Sequence, residues 1–173
     1  KAHLYHNLGL AFSDAGRAED AIDMSKSAVR IFRALRRSSG IASEHLAAAL
    51  LALAEHEALA GNTAAAIRTS QKAVLESARL RSPDGRRLRG LALVNLGTVL
   101  FAAGRFQPAL EAFRKGYGLL GQLEHRSPFE MSQWAQAAIG LAGVHLQLGQ
   151  AELAFPLADQ AWRTLSQLVA HDS

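Results

Sequence analysis

The sequence predicts an all-α solenoid of four helical hairpins, about eight helices in all. Its composition points to helices: of the 173 residues, 49% are hydrophobic but only 6% are aromatic, and alanine and leucine outnumber the β-branched residues that favour strands. An internal repeat points to stacked units, because such a period is typical of helical arrays that share one core. The repeat is marked by Gly16, Gly61, Gly104 and Gly149, which are 45, 43 and 45 residues apart.

Each unit has the same pattern around its glycine. A leucine lies eight residues before the glycine and is followed by glycine or alanine, and an alanine lies five residues after it. These positions hold Leu8, Leu53, Leu96 and Leu141 before the glycine, and Ala21, Ala66, Ala109 and Ala154 after it. We expect the first helix to end near the glycine, which can take the left-handed conformation. Small residues then let the two helices of a hairpin approach closely.

In chain order, the four units are predicted to span residues 2–39, 40–83, 84–126 and 127–170 of a single domain covering residues 1–173. Residues 36–40 are expected to connect the first two units, and Ser82-Pro83-Asp84-Gly85 is expected to form a turn before the third. Ser127-Pro128-Phe129-Glu130 predicts a helix start, with serine as the cap and glutamate three residues later. Because the chain begins with Lys1, we expect it to be a piece of a longer protein.

The segment Gly116–Gly121, GYGLLG, fits the G-x-G-x-x-G pattern of dinucleotide-binding loops. That pattern needs a strand before it and a helix after it. The repeat instead places the segment inside the second helix of the third unit. We therefore expect no nucleotide site there.

The chain offers no residue pattern that predicts catalysis. His56-Glu57 begins like the zinc motif H-E-x-x-H, but Ala60 occupies the position of the second histidine. His3 and His6 share a helix face but lack a third ligand, and cysteine is absent. We predict no catalytic residues, no bound metal and no cofactor.

The charge pattern argues against nucleic acid and membrane partners. The net charge is only +4, with acidic residues interleaved among the basic ones, whereas nucleic-acid binding favours a concentrated basic patch. The long uncharged segments are either too short or too rich in glutamine to span a bilayer. With no signal peptide in view, we expect a cytoplasmic protein.

The repeated sequence resembles the tetratricopeptide repeat (TPR) family over nearly the whole chain. Asn7–Phe12 and Asn95–Gly97 are similar to the first-helix signature of the family, and Ala109 and Phe113 match its second-helix A-x-x-x-F. The period exceeds the usual ~34 residues, as in kinesin-light-chain-type repeats and the repeat arms of bacterial regulators. The resemblance implies that the first helices line a concave surface and that the second helices line the convex one.

The resemblance also implies a non-catalytic protein–protein interaction module that binds a partner peptide or helix in the concave groove. No Lys or Arg accompanies Asn7 and Asn95 there, so we do not expect a clamp for a peptide's terminal carboxylate. The residues expected to contact the partner are His3, His6, Asn7, Leu10, Glu55, Leu91, Asn95, Thr98, Phe101 and Gln136.

The same sequence features allow three alternatives. The apolar first-helix faces could be core rather than groove. The groove could belong to a regulatory sensor for a small apolar ligand or a signalling peptide, which would need an enclosed cavity. The chain could also be a self-association arm that forms a homo-oligomer through its end hairpins.

Overall fold

A computed structural model describes residues 1–36 and 40–171, and these residues form eight α-helices and no strand. The helices are α1 (Ala2–Asp14), α2 (Ala18–Leu35), α3 (Gly40–Leu59), α4 (Thr63–Ala78), α5 (Pro83–Ala102), α6 (Phe106–Gly121), α7 (Pro128–Gln147) and α8 (Ala151–His171). The prediction of an all-α solenoid is confirmed. Gly116–Gly121 forms the end of α6, so no strand precedes these glycines.

A glycine closes the first helix of every hairpin. Gly16, Gly61, Gly104 and Gly149 have φ angles of 70° to 75°, in the left-handed region that only glycine adopts without strain. In the first hairpin, the Gly16 N–H donates to the Ser13 carbonyl at 2.9 Å and the Arg17 N–H donates to the Phe12 carbonyl at 2.8 Å. These two hydrogen bonds satisfy carbonyl groups at the end of the first helix, and the chain then turns into the second helix.

The units are joined by helix starts with side-chain caps. The Ser127 hydroxyl accepts the Glu130 N–H, and the Glu130 carboxylate accepts the Ser127 N–H at 2.7 Å, which forms the predicted capping box. The turn expected at residues 82–85 is a helix start instead. Ser82 caps α5 by accepting the Gly85 N–H at 3.1 Å, and Pro83 is the first helical residue. Of the connector expected at residues 36–40, residues 37–39 lie outside the described residues.

The helices are arranged in two layers. Each helix packs against the next one in the chain, and the odd-numbered helices also contact one another in the order α1, α3, α5, α7. No two even-numbered helices among the described residues make such contacts. The array therefore curves toward the odd-numbered helices, which form its concave layer.

The core lies between the two layers, where small residues of one helix pack against large side chains of another. The Phe113 ring, 1% exposed, lies between α5 and α7. A methyl group added to Gly97 would meet this ring at 2.6 Å, and one added to Gly140 would overlap it. Glycine at both positions thus lets a second-helix aromatic ring enter the seam between two first helices.

No helix within residues 1–36 and 40–171 combines the length and the apolar composition that crossing a bilayer requires. Pro156 lies inside α8, and the helix continues on both sides of it, from Ala151 to His171.

Candidate protein-interaction surface

The concave surface is formed by exposed and half-buried side chains of α1, α3, α5 and α7. One row of this surface lies six residues before each closing glycine, with one residue from each unit. This row consists of Leu10, Glu55, Thr98 and Gly143. Leu10 and Thr98 are exposed, and Glu55 is half-buried. Equivalent positions of four stacked helices thus form a continuous strip across the inner layer.

The centre of the concave surface is a polar network between neighbouring units. The Ser70 hydroxyl, on α4, donates to the Asn95 side-chain carbonyl at 2.7 Å. Asn95 in turn hydrogen-bonds the Glu55 carboxyl group, so α3, α4 and α5 are joined at this point. Burial raises the pKa of Glu55, and the bond from Asn95 opposes that shift. A carboxylate this poorly solvated is a favourable acceptor for a donor brought by a partner.

Apolar side chains flank this polar centre. Leu59 is 72% exposed at the end of α3, and Ile139 and Leu146 on α7 are 43% and 55% exposed. On α5, the half-buried Phe101 ring packs against Phe106 at a centroid distance of 5.6 Å. The concave surface therefore has apolar flanks around the Glu55–Asn95 pair, the pattern of grooves that hold amphipathic segments.

Histidines occupy the N-terminal end of the concave layer. The His3 ring lies edge-on to His45 at 4.4 Å and to Phe32 at 5.2 Å. Burial lowers the pKa of His6, and His3 and His45 lower it further through charge repulsion. The His6 Nδ1 atom is buried without a hydrogen-bond partner among the described residues. Within that part of the chain, no three acidic or histidine side chains are arranged to hold a metal ion.

A second buried polar pair lies behind the concave surface, between α2 and α3. Ser25 is 1% exposed and His56 is 2% exposed, and the Ser25 hydroxyl lies 2.9 Å from the His56 Nδ1 atom. Burial lowers the pKa of His56, and a hydrogen bond to the Ala21 backbone opposes the shift. The imidazole is therefore held neutral as a structural link between the first two units.

Most of the sequence-predicted contact residues reach the concave surface, but Leu91 does not. It is 4% exposed and belongs to the core, because α5 is flanked by first helices on both sides. His3, Asn7, Leu10, Thr98 and Gln136 are exposed, and His6, Glu55, Asn95 and Phe101 are half-buried. Ser70 could not be recognised from the sequence, because it lies on a second helix and joins the surface only through its bond to Asn95.

Lowering the pH below about 6.5 is expected to destabilise the fold. His6 and His56 have lowered pKa values in the folded state, so below the ordinary histidine pKa of about 6.5 the unfolded chain binds more protons. His3 and His45 lower the pKa of His6 by charge repulsion, and His6 lowers the pKa of His56 in the same way. The nearby Asp14 raises the pKa of His56 and so opposes the destabilisation. Glu55, whose pKa is raised, acts in the opposite direction as it becomes protonated.

The measurement is the urea midpoint of the circular dichroism signal at about pH 7.5, 6.5 and 5.5, where we expect a progressive fall. The variant His56→Gln should show a shallower dependence on pH, whatever its stability at neutral pH. The variant of an exposed histidine, His125→Gln, is the control and should keep the wild-type slope. A midpoint that stays constant or rises on acidification contradicts the assignment of neutral, buried histidines.

Comparisons with known proteins agree with the two-layer helical array. Two family models, both described as tetratricopeptide repeat, match residues 2–35 and 45–122, together more than half of the chain. No curated protein sequence matches at a significant level. Crystal structures of TPR-like proteins resemble nearly the whole chain, at identities that show the fold alone.

BtubC from P. vanneervenii has a TM-score of 0.78 at 18% identity, over 96% of this chain and 64% of that one. Aspartyl phosphate phosphatase F from Bacillus subtilis has a TM-score of 0.77 at 15% identity, over 96% and 40%. The apo quorum sensor NprR from B. thuringiensis has a TM-score of 0.76 at 19% identity, over 96% and 44%. This chain thus spans less than two thirds of each of these proteins. On the repeat matches and the shared architecture, the chain belongs to the tetratricopeptide repeat family.

Proposed function

We propose that this chain is a non-catalytic protein-interaction module that binds a partner peptide or helix along its concave surface. The observation that carries the proposal is that exposed apolar side chains of the concave surface surround the half-buried Glu55–Asn95 pair. These side chains are Leu10, Leu59, Ile139 and Leu146. The apolar flanks supply the area for binding, and the polar pair fixes the position of the partner.

The chemistry of the concave surface indicates which segment it would hold. Leu10, Leu59 and Ile139 favour apolar side chains spaced along one face of the partner. Glu55 favours a hydrogen-bond donor or a cation at the middle of that segment. The partner expected here is therefore an amphipathic segment with a central lysine, arginine or free backbone N–H group.

A peptide-bound relative supports this class of partner. The crystal structure of NprR in complex with its cognate peptide NprX has a TM-score of 0.71 at 19% identity, over 96% of this chain and 45% of that one. The same two-layer array is therefore compatible with peptide binding in another protein. For this chain, the partner is an intracellular protein or peptide in our proposal, and neither a membrane nor a nucleic acid.

Thr98→Arg is expected to weaken binding of such segments by at least about tenfold, which corresponds to about 1.4 kcal/mol. Thr98 is exposed on the strip, one helical turn beyond Asn95. An arginine there would reach Glu55 and occupy the acceptor intended for the partner. The probes are peptides selected from a phage-displayed library of random 16-residue sequences, and their Kd values are measured by fluorescence anisotropy.

The matched control is Gln71→Arg, which adds the same side chain at an exposed position of α4 in the convex layer. It should keep the Kd within about twofold, and circular dichroism should show both variants folded. Peptides that bind wild type and Thr98→Arg equally, or that are lost with Gln71→Arg, would contradict the proposal. A selection that yields no peptide binding to wild type would also contradict the proposal.

A further inference from the structure

Each of the first three hairpins packs on the next one through the same two positions of its second helix. These positions lie six and thirteen residues after the closing glycine and are apolar in every unit. In the first three units they hold Ile22 and Val29, Ile67 and Val74, and Leu110 and Tyr117. All six side chains are buried or packed against a core cluster, and the Tyr117 ring stacks on Trp134 of α7 at 5.1 Å. The chain thus forms one kind of inter-repeat interface three times.

The last helix has the same two positions filled but uncovered. Phe155 and Trp162 occupy them on α8 and are 70% and 68% exposed. Val169 follows seven residues later and is 70% exposed. Because residues seven apart lie on nearly the same side of a helix, the three form one apolar stripe along α8. A stripe of this size and composition is typical of an interaction site.

The first helix carries the other half of the interface. Leu4, twelve residues before its glycine, is 61% exposed, whereas the equivalent Ala49, Ala92 and Ala137 are at most 1% exposed. Five residues before the glycine, Ala11 is exposed, whereas Val99 and Val144 are 5% and 0% exposed. The α1 face that would receive a preceding second helix is therefore also open and apolar.

We infer that this chain binds a second copy of itself head to tail, with the α8 stripe of one copy packed on α1 of the next. The two open surfaces are the two halves of an interface that the chain already makes between α2 and α3, α4 and α5, and α6 and α7. The Arg163 and Asp159 side chains beside the stripe are paired with each other at 2.8 Å, so neither brings an uncompensated charge. Because the contact joins two unlike surfaces, a head-to-tail dimer still has one open α1 face and one open α8 stripe. Further copies can therefore add, and the mean size of the assembly rises with protein concentration.

The test is sedimentation equilibrium of the 173-residue chain between about 1 and 200 μM. We expect the mean mass of wild type to rise with concentration, and we expect Trp162→Glu and Leu4→Glu each to remain monomeric alone. An equimolar mixture of the two variants should form a 1:1 dimer, because one retains an intact α1 face and the other an intact α8 stripe. The control Leu75→Glu, at an exposed leucine of α4, should associate like wild type.

Both substituted side chains are exposed, so circular dichroism should show unchanged helicity in each variant. A wild-type mass that stays monomeric over the whole range would overturn the inference. So would loss of association with Trp162→Glu but not with Leu4→Glu, since that result assigns the stripe to a symmetric contact between two α8 helices. The proposed peptide site is tested separately, because Thr98→Arg should associate normally whether or not it binds peptides.

Discussion

Replacing Phe113 by alanine is expected to lower the free energy of unfolding by about 3–5 kcal/mol. The ring is 1% exposed and fills the space that Gly97 and Gly140 leave between α5 and α7. Neither glycine has a side chain that could move into the cavity, so little relaxation is expected. The measurement is urea unfolding followed by circular dichroism at about 25 °C.

The control for Phe113→Ala is Arg114→Ala, the next residue on the same helix, which is exposed. It should change the free energy of unfolding by no more than about 0.5 kcal/mol. A loss below about 1 kcal/mol for Phe113→Ala would show that the ring does not fill the seam between the two first helices.

Ser25→Ala is expected to lower the free energy of unfolding by about 1–3 kcal/mol, more than the loss of an exposed hydroxyl would. The substitution removes the group that the His56 Nδ1 atom contacts at 2.9 Å, in a place that water reaches poorly. The imidazole would then keep a buried nitrogen without a partner. Urea unfolding at about pH 7.5, where His56 is neutral in both the folded and the unfolded chain, isolates this effect.

Ser27→Ala, two residues further along α2 and half-buried, is the matched control and should stay within about 0.5 kcal/mol of wild type. If Ser25→Ala and Ser27→Ala behave alike, the Ser25–His56 contact contributes nothing to the packing of the first two units.

The hairpins could be predicted from the sequence because their determinants are local and repeated. The left-handed turn at Gly104, for example, needs a glycine whatever surrounds it. The same spacing in four units then located each pair of helices. The Ser127 capping box was predicted for the same reason, since all of its partners lie within three residues. At Ser82 the sequence predicts a turn, because Gly85 is typical of a break in the chain, but Ser82 caps α5 and the helix continues through Gly85.

The candidate site could be predicted only in part, because burial there depends on neighbouring units. Periodicity places Leu91 and Thr98 on the same side of one helix, yet the first is core and the second is exposed. Which of the two side chains is buried depends on how closely α3 and α7 pack against α5. That distance cannot be read from the spacing of residues along α5. The link from Ser70 to Asn95 is equally non-local, since 25 residues separate its two ends.

The proposed function requires the partner to bind the concave layer rather than the convex one. The test places a photo-crosslinking amino acid at Thr98 or at Gln71 and irradiates each protein with a peptide selected for binding to wild type. We expect a crosslinked product from position 98, competed by unlabelled peptide, and none above background from position 71. A product from position 71 alone would contradict the claim and place the interaction on the convex surface of α4.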